Sequence, residues 1–193
     1  MKSLRRPTND AVSIWLEELG SIPPTFEAVS SANTQGFYED RYRIRIGTGR
    51  NVYESACNAI RTWQMFPLQM ATLIPESPSI EVGTILAVRF HIGPLHTINP
   101  CRIIDVNSVR NIEIESFGFS YVTLPGHIEC GLEEFLVEYD YRDCSVWYSI
   151  HVYSRPEWWP VWLVLPYARY LQREFRQLSG EAMRTAIKPS NNE

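Results

Sequence analysis

The sequence predicts an α+β fold. A curved antiparallel sheet of about seven to eight strands wraps a long C-terminal helix, with one further helix after the first strand. Three observations carry that expectation. Residues 68–153 are rich in β-branched and aromatic side chains, and several stretches alternate apolar and polar positions. Gly, Pro, Asn or Asp lie at most of the junctions, at short spacings that suit antiparallel hairpins and not parallel crossovers. Val164, Ala168, Leu171, Phe175 and Leu178 then step by 4, 3, 4 and 3, as one face of a helix does.

The elements follow in order. Residues 1–10 are polar and read as loose, and AVSIWLEEL (11–19) reads as a short helix. GSIPPTFEAVSSANTQG (20–36) reads as a linker or surface loop by its Pro, Ser and Gly content. Residues 1–36 are thus expected as an N-terminal extension, 37–187 as a single domain and 188–193 as a disordered tail. RYRIRIG (41–47) alternates with period two, as a strand does. GTG (47–49) makes a turn, and Val52, Ala56, Ala59, Ile60 and Trp63 recur at helical spacing, with Thr48 or Asn51 as the cap and Pro67 as the bound. Seven further strands are expected at 68–74, 84–92, 100–106, 109–117, 119–124, 134–141 and 145–153. The closing helix has Pro160 near its first turn and a start or kink at Pro166, which lacks an N–H. One face of such a sheet must be covered, and the last helix is the available cover. This is, by analogy, the helix-grip or START-like arrangement, which commonly leaves a cavity between helix and sheet; fold alone does not settle function.

Composition narrows the functional classes. With 193 residues, 45% of them hydrophobic, the chain can bury a real core. The 12% aromatic share, with six Trp, can fill that core or line an apolar pocket. A net charge of −4 offers no basic field for nucleic-acid phosphates. Cys57, Cys101, Cys130 and Cys144 form no C-x-x-C pair and read as reduced thiols in a cytoplasm. The N-terminal stretch has no unbroken apolar core of a signal peptide. WWPVWLVLPYA (158–168) holds two prolines and is too short to span a bilayer, so no integral membrane insertion is expected. Its Trp158, Trp159 and Trp162 form a patch that could touch a membrane surface or a protein partner.

Several chemical motifs are present only in part. GTG is half of a dinucleotide fingerprint, but position 52 is Val and no parallel βαβ unit follows. His127-Ile128-Glu129 matches the H-x-E of zinc deaminases, yet Pro100-Cys101 continues without a second Cys. His91 and His96 flank Gly93-Pro94 on two arms of an expected hairpin, with no third ligand evident. No G-x-S-x-G elbow occurs, and nothing local would activate Cys130 beside His127. The sequence therefore points to neither a metal nor a nucleotide cofactor.

YVTLPGHIECGLEEF (121–135) carries the strongest candidates. On a strand, Glu133 shares a face with Phe135, Val137, Tyr139 and Tyr141, while Glu134 lies on the acidic face. A carboxylate at such an apolar boundary is desolvated, which lifts its pKa toward an acid/base range. The competing reading is a strand-end Glu that braces the Pro-Gly corner. Glu133, His127 and Tyr121 are the candidate catalytic residues. Trp63, Arg89, Thr123, Phe135 and Tyr148 are the candidate ligand-binding residues.

The blocks GTG…A…AI.TWQMFPLQ, VGTILAV…H.GPL…NPCRIIDV, FGFSYVTLPGHIECGLEEF, V.YSIHVYSRP and PYARYLQREF…S..AM stand in this order over about residues 37–187. In that order and spacing the chain resembles the uncharacterised family called domain of unknown function nineteen-ninety. The resemblance implies a helix-grip domain and supplies no activity. The family pattern around the corner is approximately Y-G-T-L-P-G-H-P-E-x-G-E-E-x-F. Tyr121, Thr123, Leu124, Pro125, Gly126, His127, Glu129, Gly131, Glu133 and Phe135 match it. Val122, Ile128 and Leu132 depart from it, and Leu132 replaces the first Glu of a pair. Such divergence would suit a branch in specialised metabolism.

The expectation for function is an apolar, aromatic-lined cavity that acts on a hydrophobic small molecule. The chemistry would be metal-free proton transfer, cyclisation or isomerisation, with Glu133 as acid/base, His127 orienting it or shuttling the proton, and Tyr121 donating to a substrate oxygen. The alternatives are a non-catalytic carrier or sensor using the same cavity, and an interaction module using the Trp158–Trp162 patch. The oligomeric state is left open.

Overall fold

The computed structural model describes residues 7–26, 36–92, 95–157 and 165–188. Its elements are α1 (Asn9–Glu18), β1 (Tyr38–Thr48), α2 (Arg50–Arg61), β2 (Ala71–Ile74), β3 (Ile85–Ile92), β4 (Leu95–Arg110), β5 (Ile114–Thr123), β6 (Glu129–Asp140), β7 (Ser145–Pro156) and α3 (Leu165–Ala186). The seven strands make one antiparallel sheet in the order β1-β7-β6-β5-β4-β3-β2. Because β1 sits beside β7, α2 carries the chain from one edge of the sheet to the other. Register shifts between Arg45 and Gly47 and between Ile103 and Asp105 bend the sheet, as bulges do.

The curved sheet has two unlike faces. Its inner face buries Phe119, Phe135, Val137, Tyr148 and Ile150 against Ala56, Ile60 and Phe66 around α2 and against Phe175 and Met183 of α3. Part of the outer face, at β2, β3 and β4, is covered by α1, whose Val12 and Leu16 pack on Ile74, Ala87, Ile98 and Leu124. Phe26 adds a smaller patch with Val122 and Cys130. α1 starts where the Thr8 hydroxyl accepts the Ala11 N–H at 3.3 Å, an ordinary N-cap. α3 lies close to β1: a Cβ on Gly180 would stand 2.5 Å from the Tyr42 hydroxyl oxygen. Among the described residues, no helix is long and apolar enough to cross a membrane.

Three differences from the sequence expectation have local causes. The strands expected at 109–117 and 119–124 are divided differently. β4 runs on to Arg110, and the turn falls at 111–113, where the Asn111 side-chain oxygen accepts the N–H groups of Glu113 and Ile114, each at 2.8 Å. Gly118 does not break β5. A Cβ there would stand 2.1 Å from the Phe135 carbonyl oxygen, so this glycine marks close approach of β6 and not a strand end. α2 ends at Arg61, leaving Trp63 beyond it with φ 58°, and its N-cap is Gly49 with no side-chain capping bond, so neither Thr48 nor Asn51 fills that role. Pro166 is the second residue of the described α3. Pro160, the Trp158–Trp162 patch and the tail after Lys188 lie outside the described residues.

Gly118→Ala should cost about 1–3 kcal/mol of stability, because the clash is with backbone and cannot be relieved by a rotamer change. Gly20→Ala, where a Cβ meets nothing within 4 Å, should stay within about 0.5 kcal/mol. Urea denaturation of both variants checks the pair.

Candidate functional site

Strand register brings the principal residues together. Tyr121 on β5 stands directly across from Glu133 on β6. The connecting corner is tight: Gly126 has φ 97°, and the His127 N–H donates to the Leu124 carbonyl at 3.1 Å. Glu129 and Glu133 fall on the same strand face by their even spacing. Both line a cavity of about 150 Å³ between the sheet and α3. Tyr121 and His127 line it too, with Val88, Phe90, Val152 and Phe175 in its apolar wall.

Within the cavity the Tyr121 hydroxyl donates to Glu133 Oε2. Glu133 is half-buried and lines the cavity. Burial lifts its carboxyl to about 7; the nearby Glu129 adds to the rise, while the Tyr121 hydrogen bond and Arg176 oppose it. Burial likewise raises Tyr121, which stays protonated, and raises Glu129 against the pull of Arg169 and Gln172. His127 is pushed down to about 3, chiefly by desolvation, so its imidazole is neutral near pH 7. The Glu129 N–H donates to His127 Nδ1 at 2.9 Å. That bond makes Nδ1 the acceptor and assigns the proton to Nε2.

α3 supplies the other half of the site. Gln172 Nε2 donates to both carboxylate oxygens of Glu129 at 2.9 Å. Arg169 donates to Gln172 Oε1 at 2.7 Å and to Ser154 Oγ at 2.9 Å, and its guanidinium lies 4.0 Å over the Tyr38 ring. One helical turn on, Arg176 pairs with Asp40 of β1 in a largely buried ion pair. Arg169, Gln172 and Arg176 therefore form a polar stripe beside the apolar Ala168, Leu171 and Phe175.

The ligand-binding candidates fall elsewhere. Trp63 and Arg89 line a separate open cleft of about 1190 Å³ near the C-terminal end of α3. There Trp63 donates to the Pro78 carbonyl at 2.8 Å and Arg89 to the Pro7 carbonyl at 3.0 Å. Thr123 is buried, accepting the Gly131 N–H at 3.0 Å. Phe135 is packed in the core, and Tyr148 is buried with its hydroxyl 2.7 Å from Ser179 Oγ. The cleft is larger, but the displaced carboxyl and imidazole values gather in the smaller cavity, which makes the cavity the candidate site. Glu129, Gln172, Arg169, Arg176, Asp40 and Asn99 also line it; the sequence marks Glu129 only within the H-x-E and family patterns, and none of the six as a candidate site residue. The 169/172/176 spacing was a readable signal; nothing local marked Asn99. Among the described residues, no group of three or more His, Cys, Asp or Glu is arranged to hold a metal ion.

The family model described as Domain of unknown function (DUF1990) matches residues 24–182. A UPF0548 protein of Arabidopsis thaliana is 29% identical over 156 residues, covering 80% of this chain and 75% of its own. A UPF0548 protein of Deinococcus radiodurans is 29% identical over 185 residues, covering 88% of this chain and 86% of its own. Among solved structures, ginseng major latex-like protein 151 from Panax ginseng overlays with a TM-score of 0.48 at 12% identity, covering 80% of this chain and 99% of that one. At that score the likeness carries no functional argument.

The raised carboxyl has a thermodynamic consequence. Glu133 binds its proton more tightly folded than unfolded, so it weakens the fold as pH rises from about 4.5 through about 7. Glu133→Gln should thus be near neutral at pH 4 and stabilising at pH 8 by about 1–3 kcal/mol, part of the linkage being offset by the altered Tyr121 bond. Thermal unfolding of both proteins across pH 4–8 reads this as a Tm difference that grows with pH; a difference that shrinks with pH contradicts a raised Glu133.

Proposed function

The chain belongs to the DUF1990 family, and we infer that it acts on a small, largely apolar molecule by proton transfer inside the helix-grip cavity. One observation carries the reading: a desolvated carboxyl held near 7, hydrogen-bonded to a tyrosine, facing an aromatic-walled cavity. A group with that pKa exists in both protonation states at neutral pH, which is the condition for acid/base work. Glu133 is the proton-transfer residue in this reading, and Tyr121 holds its carboxyl in place. His127 presents a neutral donor to the same space, and Gln172 with Arg169 keeps Glu129 engaged away from the reacting centre. The small volume favours an isomerisation or ring closure of a compact molecule.

A carrier or sensor role is the second reading, because an apolar wall binds without any proton transfer. Native mass spectrometry of the purified protein should reveal a bound small molecule. Incubation with that molecule should convert it, with kcat/KM rising as pH passes about 7 and Glu133 ionises. Glu133→Gln should lower turnover roughly 10²–10⁴-fold while leaving binding in place. A ligand recovered unchanged assigns the cavity to a carrier.

A further inference from the structure

We propose that the substrate is a compact, enolisable carbonyl compound that also carries an O–H or N–H donor. Its carbonyl oxygen is held by His127 Nε2 and its donor by Asn99 Oδ1. This rests on the reading of Glu133 as the proton-transfer residue and adds to it the substrate class and two recognition residues.

His127 supplies the first half. Its Nδ1 is occupied by the Glu129 N–H at 2.9 Å, and Nε2 has no partner among the described residues. Desolvation keeps the ring neutral. A neutral N–H donor in a site of low dielectric polarises a carbonyl and meets the oxyanion that forms when a neighbouring carbon loses its proton. It does so while keeping its own proton.

Asn99 supplies the second half. Its amide nitrogen donates to the Val88 carbonyl at 3.2 Å and to Thr97 Oγ1 at 2.9 Å. The carbonyl partner fixes which end of the amide is nitrogen, because Val88 O accepts only. Asn99 Oδ1 is buried in the cavity wall and has no partner among the described residues. A buried acceptor left unpaired is costly, and a ligand donor satisfies it. The volume sets the size: about 150 Å³ accepts a molecule on the order of one six-membered ring.

The step balances within the site. The ionised Glu133 carboxylate takes a proton from the carbon beside the carbonyl. The C–H electron pair becomes the C=C bond of an enolate, and the carbonyl π pair moves to the oxygen held by His127. The Glu133 carboxylic acid then returns the proton to the same carbon or to another carbon of the delocalised anion. No oxidant, reductant or co-reactant is consumed.

The test uses 4-hydroxycyclohexanone as the probe in D2O at pD 8, with cyclohexanone and cyclohexanol as partners lacking the donor and the carbonyl. Proton NMR should show exchange of the protons beside the carbonyl of 4-hydroxycyclohexanone above the buffer rate, and slower exchange of cyclohexanone. Glu133→Gln should abolish the exchange. His127→Phe should lower it roughly 10²–10³-fold, the usual loss for an oxyanion donor, while leaving the apparent Kd of cyclohexanol unchanged. Asn99→Leu should erase the preference for the hydroxylated ketone; circular dichroism checks that each variant is folded. Exchange lost in Glu133→Gln but kept in His127→Phe overturns the oxyanion role and leaves the Glu133 reading standing. Equal exchange of both ketones in the parent protein overturns the Asn99 role alone. No exchange of either ketone at millimolar concentration overturns the carbonyl assignment, and conversion of a co-purified molecule then decides Glu133 independently.

Discussion

The cross-strand pairing of Tyr121 with Glu133 is the constraint on which the site depends. A strand turns every side chain to the other face when its register slips by one residue. A slip between β5 and β6 would bring Leu132 or Glu134 opposite Tyr121 and put Glu133 outside. The corner at Pro125-Gly126 prevents this by fixing the number of residues between the strands, with Gly126 at a positive φ that other residues rarely adopt. The same corner sends His127 and Glu129 back toward the cavity, so a backbone turn decides which titratable groups meet.

Once Glu133 faces inward, the aromatic packing sets its chemistry. Phe119 and Phe135 stack at 5.5 Å between centroids, Phe66 meets both Phe135 and Phe175, and Phe90 meets Phe175 at 5.6 Å. This cluster joins the sheet to α3 and surrounds the carboxyl with apolar surface that solvates its charge poorly. The polar stripe on α3 works against the same background. Removing one partner of the Asp40–Arg176 pair would leave a poorly solvated charge, which is far more costly than losing a surface contact. α3 is thereby held in one rotational setting, with Gln172 over Glu129 and Phe175 over the aromatic wall.

The departure at Leu132 takes on a different meaning in three dimensions. The resemblance read from the sequence implies a first Glu of a pair at this position, so that Leu132 reads as a missing carboxylate. In the structure Leu132 packs on the outer face with Phe26 and Tyr153, away from the cavity. A carboxylate there would not have reached the cavity. The second carboxyl of the site is Glu129, four residues before Glu133 on the inner face, and this chain retains it.

By itself the sequence determined the class of fold, the long closing helix, the inward face of β6 and the corner that carries Tyr121, His127 and Glu133. These are legible because period-two and helical patterns are local, and because Pro-Gly at a strand end has few conformations. The strand division at Gly118 was misread for the same reason: a glycine looks alike whether it ends a strand or admits a neighbouring carbonyl. Only the tertiary structure decided that Trp63 and Arg89 belong to a different opening, that Thr123, Phe135 and Tyr148 are packing residues around the cavity, and that Asn99, Gln172 and Arg169 join the site. Those placements depend on β4, β6 and α3 meeting across long stretches of chain, from Asn99 to Arg176 in the cavity lining, and the desolvation that lifts Glu133 and silences His127 exists only after they meet.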